Sequence, residues 1–167
     1  MKQMKVLHVV RHAKSSWDYE GTADIDRTLK SKGIRNAYTI SRKLKLINFI
    51  PDKIITSPAI RAIHTAVIFG RVFEFPLSDI GVSNVLYESS SDKIIDMIKK
   101  LDDNCKSVMI FGHNPDFTDL VNRFIQSPID NIPTAGVVTM KFKSTTWSEI
   151  GKSNLEKHVV NFPSKHE

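Results

Sequence analysis

The sequence predicts one α/β domain over residues 1–167, a three-layer α/β/α sandwich with a mainly parallel sheet between two layers of helices. Three observations predict it. The runs Val6-Leu7-His8-Val9-Val10 and Val108-Met109-Ile110-Phe111 are mostly apolar without strict alternation, as parallel strands covered on both faces are. Strand and helix patterns alternate three times before the rhythm changes past Pro133. The chain has 167 residues, 41% hydrophobic and 25% charged, which suits one domain with a sizeable core.

The first strand runs into Arg11-His12, and a polar loop over residues 14–27 follows. Ile34, Ala37, Tyr38, Ser41 and Leu44 recur at helical spacing and predict a helix from Ser31 to about Ile47. Lys53-Ile54-Ile55-Thr56 reads as a second strand. Ser57 is a good N-cap and Pro58 fits a first helical position, so a helix is expected to about Val72, burying Ile60, Ile63, Val67 and Ile68. Residues 79–86 form a weaker strand candidate broken by Gly81. Ser91 or Asp92 caps a third helix with Ile94, Ile95, Ile98 and Leu101 on one face. After the next strand, Asn114 is placed to cap and Pro115 to open a fourth helix, striped by Phe117, Leu120, Val121, Phe124 and Ile125. Residues 137–142 alternate as a strand, and 155–162 read as another at the sheet edge.

The net charge is +6 and the pI is near 9.4. Lysines and arginines are scattered singly and in pairs such as Arg42-Lys43 and Lys99-Lys100, without an arginine-rich run or an aromatic RNA-binding signature. That pattern is a solvated basic surface, and no nucleic-acid partner is expected. No apolar stretch has the length of a membrane span or a signal peptide, and no membrane partner is expected. The one cysteine, Cys105, cannot form an internal disulfide, so the expected location is the cytoplasm.

Right-handed crossovers bring all strand-to-helix turns of such a sheet to one edge. Three of these turns carry Arg11-His12, Arg61 and His113. Histidine brings a nitrogen that serves as nucleophile, base or metal ligand, and arginine brings a fixed cation with forked donors. Two arginines and two histidines near helix starts describe an anion site, most naturally for a phosphoryl group. Adjacent arginines oppose a dication, and no His-x-His or cysteine cluster is present, so no metal is expected. His8, His64, His158 and His166 read as structural or surface residues.

Taken together, Val9-Val10-Arg11-His12-Ala13-Lys14, Asp26-Arg27-Thr28-Leu29 with Gly33, Ser57-Pro58-Ala59-Ile60-Arg61-Ala62 with Thr65-Ala66, and Gly112-His113-Asn114-Pro115 resemble the histidine phosphatase superfamily. The short chain, and Pro133-Thr134 before the late strand, are most similar to its small branch, the SixA-type phosphohistidine phosphatases. The resemblance implies the phosphoglycerate mutase-like fold, with an antiparallel edge to the sheet. It implies that His12 is the nucleophile, forming a phosphohistidine intermediate that water hydrolyses. Arg11, Arg61 and His113 would hold the phosphoryl oxygens, with Arg27 and Asn114 as further phosphate-binding candidates. Glu88 lies roughly where larger relatives keep a general acid, and Asp18 is a second candidate for that role. The usual glycine after Arg-His is Ala13, and the usual threonine cap of the first helix is lost at Thr28-Leu29-Lys30, with Ser31 standing in.

The resemblance therefore implies a metal-independent, cofactor-free phosphatase acting on a phosphorylated protein, foremost on phosphohistidine. The alternatives are a phosphomonoesterase for a small phosphorylated metabolite and a phosphate-binding module without turnover.

Overall fold

The computed structural model describes residues 3–17 and 20–165. Strand β1 (Met4–Arg11) lies inside a sheet of six strands among the described residues. On one side of it come β4 (Ser107–Gly112), β2 (Lys53–Thr56) and the two-residue β3 (Gly81–Val82), each parallel to its neighbour. On the other side come β5 (Val137–Lys143) and β6 (Leu155–Asn161), each antiparallel to its neighbour. The parallel half and the antiparallel edge therefore meet at β1.

Successive side chains on a strand point to opposite faces, and both faces are covered. Leu7, Val9, Val108 and Ile110 join one core with Ile94, Ile98, Phe117, Leu120 and Val121 of α3 (Ser91–Lys99) and α4 (Asp116–Asn122). Val10, Ile54, Met109 and Phe111 join the other with Ala37, Ile40, Leu44, Ala66 and Phe69 of α1 (Ser31–Leu46) and α2 (Ile60–Phe73). Among the described residues, no helix is long and apolar enough to cross a membrane.

Several local expectations are corrected. Helix α2 starts at Ile60 behind Ala59, not at Pro58, although the Ser57 hydroxyl accepts the Ala59 N–H as well as bonding His113. Its buried face is Arg61, Ala62, Thr65, Ala66, Ile68, Phe69 and Phe73, and Ile60 is 40% exposed. Neighbouring helical residues point about 100° apart, so turning Arg61 inward turns Ile60 outward. Ser31 is the first residue of α1 rather than its cap. The cap position is Lys30, whose side chain makes no capping bond. Ser90, not Ser91 or Asp92, caps α3 by accepting the Lys93 N–H. Pro115 precedes α4 rather than opening it, and Asn114 accepts the Thr118 N–H and hydroxyl.

Gly33 lies in the first turn of α1, where an added Cβ would stand 2.3 Å from the Lys14 carbonyl oxygen. This close approach, with Lys30 N–H donating to that same oxygen, pins the loop after β1 against α1.

Candidate active site

The parallel register sets the site. β1 and β4 pair with Arg11 opposite Gly112, so the residue after each strand, His12 and His113, emerges side by side. Their ring centroids are 5.1 Å apart. β2 pairs with β4 so that Thr56 faces Phe111, which brings Ser57 to the same edge.

His12 is buried at the floor of an open cleft of about 350 Å³. Its Nδ1 lies 2.7 Å from the Ala13 carbonyl oxygen. A carbonyl only accepts, so Nδ1 carries the proton and Nε2 keeps the lone pair. Burial drives the His12 pKa down to about 3. The Ala13 bond opposes this, and His113, Arg61 and Arg11 push the same way as burial. The backbone around His12 is fixed on three sides. Its N–H donates to Gly112, its carbonyl accepts from Ala135, and the next N–H donates to the Thr65 hydroxyl, which donates to the Arg61 carbonyl.

His113 is the complementary tautomer. Its Nδ1 faces Arg61 Nη2 at 3.4 Å, and a guanidinium only donates. The proton therefore sits on Nε2, which donates to Ser57 Oγ at 2.8 Å. Burial first, then Arg61, lowers its pKa to about 4, with Asp24 opposing.

Three arginines surround these rings. Arg11 Nη1 donates to the Ile132 carbonyl at 2.9 Å, an oxygen that also accepts from Asn114. Arg27 is held by the Ser16 carbonyl, the Ser15 hydroxyl and Asp24 Oδ1. Arg61 grips Asp24 twice, Nη1 on its carbonyl at 2.6 Å and Nη2 on Oδ2 at 3.0 Å. Tyr87 donates its hydroxyl to the same Oδ2 at 2.7 Å. Burial alone would raise the Asp24 carboxyl, but the bonds from Tyr87, Arg61 and Arg27 outweigh it and hold it at about 2. The bond to Asp24, with burial, pushes Tyr87 up to about 12.

The Nε atoms of Arg11 and Arg61 are buried and have no partner among the described residues. Unpaired buried cationic donors are costly, and an oxyanion is the partner they call for. With Lys14 and Lys30 also lining the cleft, its charged side chains among the described residues are cations, and Asp24 stands behind Arg27 and Arg61. The arrangement suits an anion and leaves the His12 Nε2 lone pair available to face it.

Of the residues expected from sequence, Arg11, His12, Arg27, Arg61, His113 and Asn114 all line this cleft. Glu88 does not. It is exposed, at a backbone φ of +48°, beside an adjoining cavity of about 510 Å³ that also takes in Asp24, Tyr87 and His113. Asp18 lies outside the described residues. Asp24, Tyr87 and Ser57 tie the arginines and His113 in place; Tyr87 and Ser57 were not expected to do so, and Asp24 was expected only as part of the polar loop over residues 14–27 that borders the site. For Asp24 the available signal was its position three residues before Arg27, where a short helical turn brings the two charges together.

Residues 7–89 match the histidine phosphatase superfamily (branch 1). An uncharacterised protein of Mycobacterium tuberculosis is 31% identical over 106 residues, which are 64% of this chain and 63% of the relative. An uncharacterised protein of Mycobacterium leprae is 27% identical over 166 residues, covering 92% of this chain and 99% of the relative. Three solved structures share the fold. A candidate phosphohistidine phosphatase SixA from Agrobacterium tumefaciens superposes with TM-score 0.78 at 24% identity, over 93% of this chain and 97% of that one. The protein histidine phosphatase SixA complexed with tungstate gives 0.74 at 19%, over 94% of each chain. A phosphoglycerate mutase from Bacillus anthracis gives 0.68 at 16%, over 88% of this chain and 95% of that one. Fold and cleft thus define a phosphoglycerate mutase-like α/β protein built around paired histidines. Within that class, the chain belongs to the histidine phosphatase superfamily.

Proposed function

We propose that the protein is a phosphatase that works through His12 and needs neither metal nor cofactor, and that its substrate is phosphohistidine in a protein. The observation that carries this reading is the His12 tautomer, with Nδ1–H held by the Ala13 carbonyl and the Nε2 lone pair free. Nε2 attacks phosphorus in line. The His12 N–P bond forms as the bond to the leaving group breaks, and water then cleaves the phosphoenzyme to inorganic phosphate. Arg11 and Arg61 take the phosphoryl oxygens and supply the charge a metal would otherwise bring, with Arg27 and Asn114 alongside. His113 is neutral at pH 7. A phosphoryl dianion draws a proton onto it, and Nδ1 then donates to an oxygen.

The leaving group favours a P–N substrate. Asp24 is ionised down to about pH 2, so it carries no proton for a departing alkoxide at neutral pH, and the Tyr87 hydroxyl already donates its proton to Asp24. An imidazole titrates near neutrality and leaves with its own proton. The second reading is a phosphomonoesterase for a small metabolite, favoured by the cavity beside Glu88, where a carboxyl group could act as acid. Family names borne by the SixA-type relatives in the fold comparison point the same way as the first reading. We assign the activity to one domain and to the cytoplasm, where the free thiol of Cys105 stays reduced.

The test is a parallel rate comparison in EDTA on a phosphohistidine-bearing protein, an aryl phosphate and a panel of phosphorylated metabolites, with His12→Ala as control. Fast, His12-dependent loss of phosphohistidine is expected. A preferred metabolite would replace the substrate and keep the mechanism. Inhibition by EDTA that added metal reverses would overturn the metal-free reading.

A further inference from the structure

We propose that Trp17 is the specificity-determining wall of a leaving-group subsite, which favours substrates whose phosphoryl group departs from a planar ring. The inference rests on the phosphatase reading above. Trp17 is 74% exposed, whereas the other tryptophan, Trp147, is fully buried. An indole left this open in water forgoes a large apolar burial. It is nonetheless held. The guanidinium carbon of Arg27 lies 3.2 Å from the ring centroid, and Arg27 is itself buried and anchored to Ser15, Ser16 and Asp24. One face of the indole rests on a fixed cation, and the side chain is otherwise largely exposed to solvent.

Its place in the cleft gives the ring a use. Trp17 borders the cleft of His12 and also an adjoining cavity of about 310 Å³ lined by Ser16, Thr22, Asp26, Arg27 and Thr28. It is the ridge between them. In an in-line displacement the leaving group departs from the side of phosphorus opposite the nucleophile. His12 is at the floor, 8% exposed, so departure is toward the mouth, where Trp17 stands. A planar ring there stacks on the exposed indole, and an aliphatic alcohol does not. Stacking of this kind corresponds to about a tenfold preference.

The test uses phenylphosphonate and methylphosphonate, which carry the same anion and cannot be hydrolysed. Binding to the wild-type protein and to Trp17→Leu and Trp17→Phe is measured by titration calorimetry, alongside tryptophan fluorescence. The wild type is expected to bind phenylphosphonate about tenfold more tightly than methylphosphonate. Phenylphosphonate should change the emission of Trp17, because Trp147 is shielded. Trp17→Leu should bring the ratio of the two affinities close to one, and Trp17→Phe should keep most of it. If Trp17 only braces Arg27, both phosphonates weaken together and the ratio survives, which overturns the proposal. Equal affinities in the wild type, or no binding of either, also overturn it. The readout needs no turnover, so loss of the phosphatase reading in the His12→Ala comparison is seen separately.

Discussion

His8 and His12 lie on the same strand and its exit, four residues apart, and their environments look alike by two common measures. Both are buried, and burial is the first cause that lowers each pKa to about 3. Their company differs. His8 bonds the Thr139 hydroxyl at 2.7 Å and tilts against the Phe49 ring, with Lys141 nearby. His12 faces His113, Arg11 and Arg61 across an open cleft, with its Nε2 lone pair unspent. Two buried cations repeat the contrast. Lys5 is satisfied by the carbonyls of Asp103 and Cys105 and sits over the Trp147 ring, while Arg61 keeps a buried Nε with no partner among the described residues. Burial and a depressed pKa therefore do not mark the site. Unspent donors and acceptors converging on one cleft do.

The largest expected effect separates the two histidines directly. His12→Ala should lower kcat/KM by more than about 10³-fold, the scale of a lost nucleophile. His8→Leu should leave kcat/KM within a factor of about two while costing about 1–3 kcal/mol of stability, because the Thr139 hydroxyl loses its buried partner. Steady-state kinetics and urea unfolding of both variants check this, and a His8 variant that is folded but inactive would break the contrast. Next, Arg61→Ala should cost about 10²-fold in kcat/KM, as removal of a charge-stabilising donor does. An unchanged value would remove Arg61 from the site.

Asp24→Ala sharpens the comparison of the arginines. Its carboxylate holds Arg27 and Arg61 at 3.1 and 3.0 Å. Without it both guanidinium groups lose a charge-assisted partner, and kcat/KM should fall by about tenfold. Phosphate affinity measured by calorimetry should fall with it. If affinity rises instead, Asp24 competes with the substrate for Arg61 rather than aligning it.

Much of this was legible in the sequence for definite reasons. The mostly apolar runs around Leu7 and Ile110 mark central parallel strands, and the residues just beyond them, His12 and His113, must meet if those strands pair in register. Residues at the ends of neighbouring strands are thus readable together. Asp24 and Tyr87 were not, because each reaches the cleft on an irregular segment. Asp24 returns to the site through a loop closed by the pairing of Ser15 with Leu29, and Tyr87 follows a helical turn, Asn84–Leu86. Neither path has a hydrophobic period to read. The start of α2 was misjudged because Ser57-Pro58 carries the local signature of a helix entry. The serine hydroxyl does accept the Ala59 N–H as that signature predicts, and it bonds His113 as well, but the regular helix begins only at Ile60.

The smallest expected effect on activity concerns acid, and the sign of the accompanying stability change follows from the depressed histidine pKa values. His8 and His12 stand at about 3 and His113 at about 4 in the folded chain, against 6.5 unfolded. As pH falls below about 6.5 the unfolded chain takes up protons that the folded chain refuses, so stability is full above that pH and declines toward pH 3–4. Each histidine contributes a limiting slope of about 1.4 kcal/mol per pH unit. Asp24 works in the same direction but only lower. Its stabilisation is complete above its unfolded value of 3.8 and is lost toward about 2, overlapping only the acid end of the histidine range. Urea midpoints at pH 7 and pH 5 should therefore differ in the wild type, and the difference should shrink by one histidine's share in His12→Ala and again in His8→Leu. Activity should behave differently. Because His12 stays neutral far below 6.5, kcat/KM should hold through pH 6 and fall only as the fold itself gives way. A drop in kcat/KM centred at pH 6.5, with no change in stability there, would mean that His12 is solvated and titrates freely.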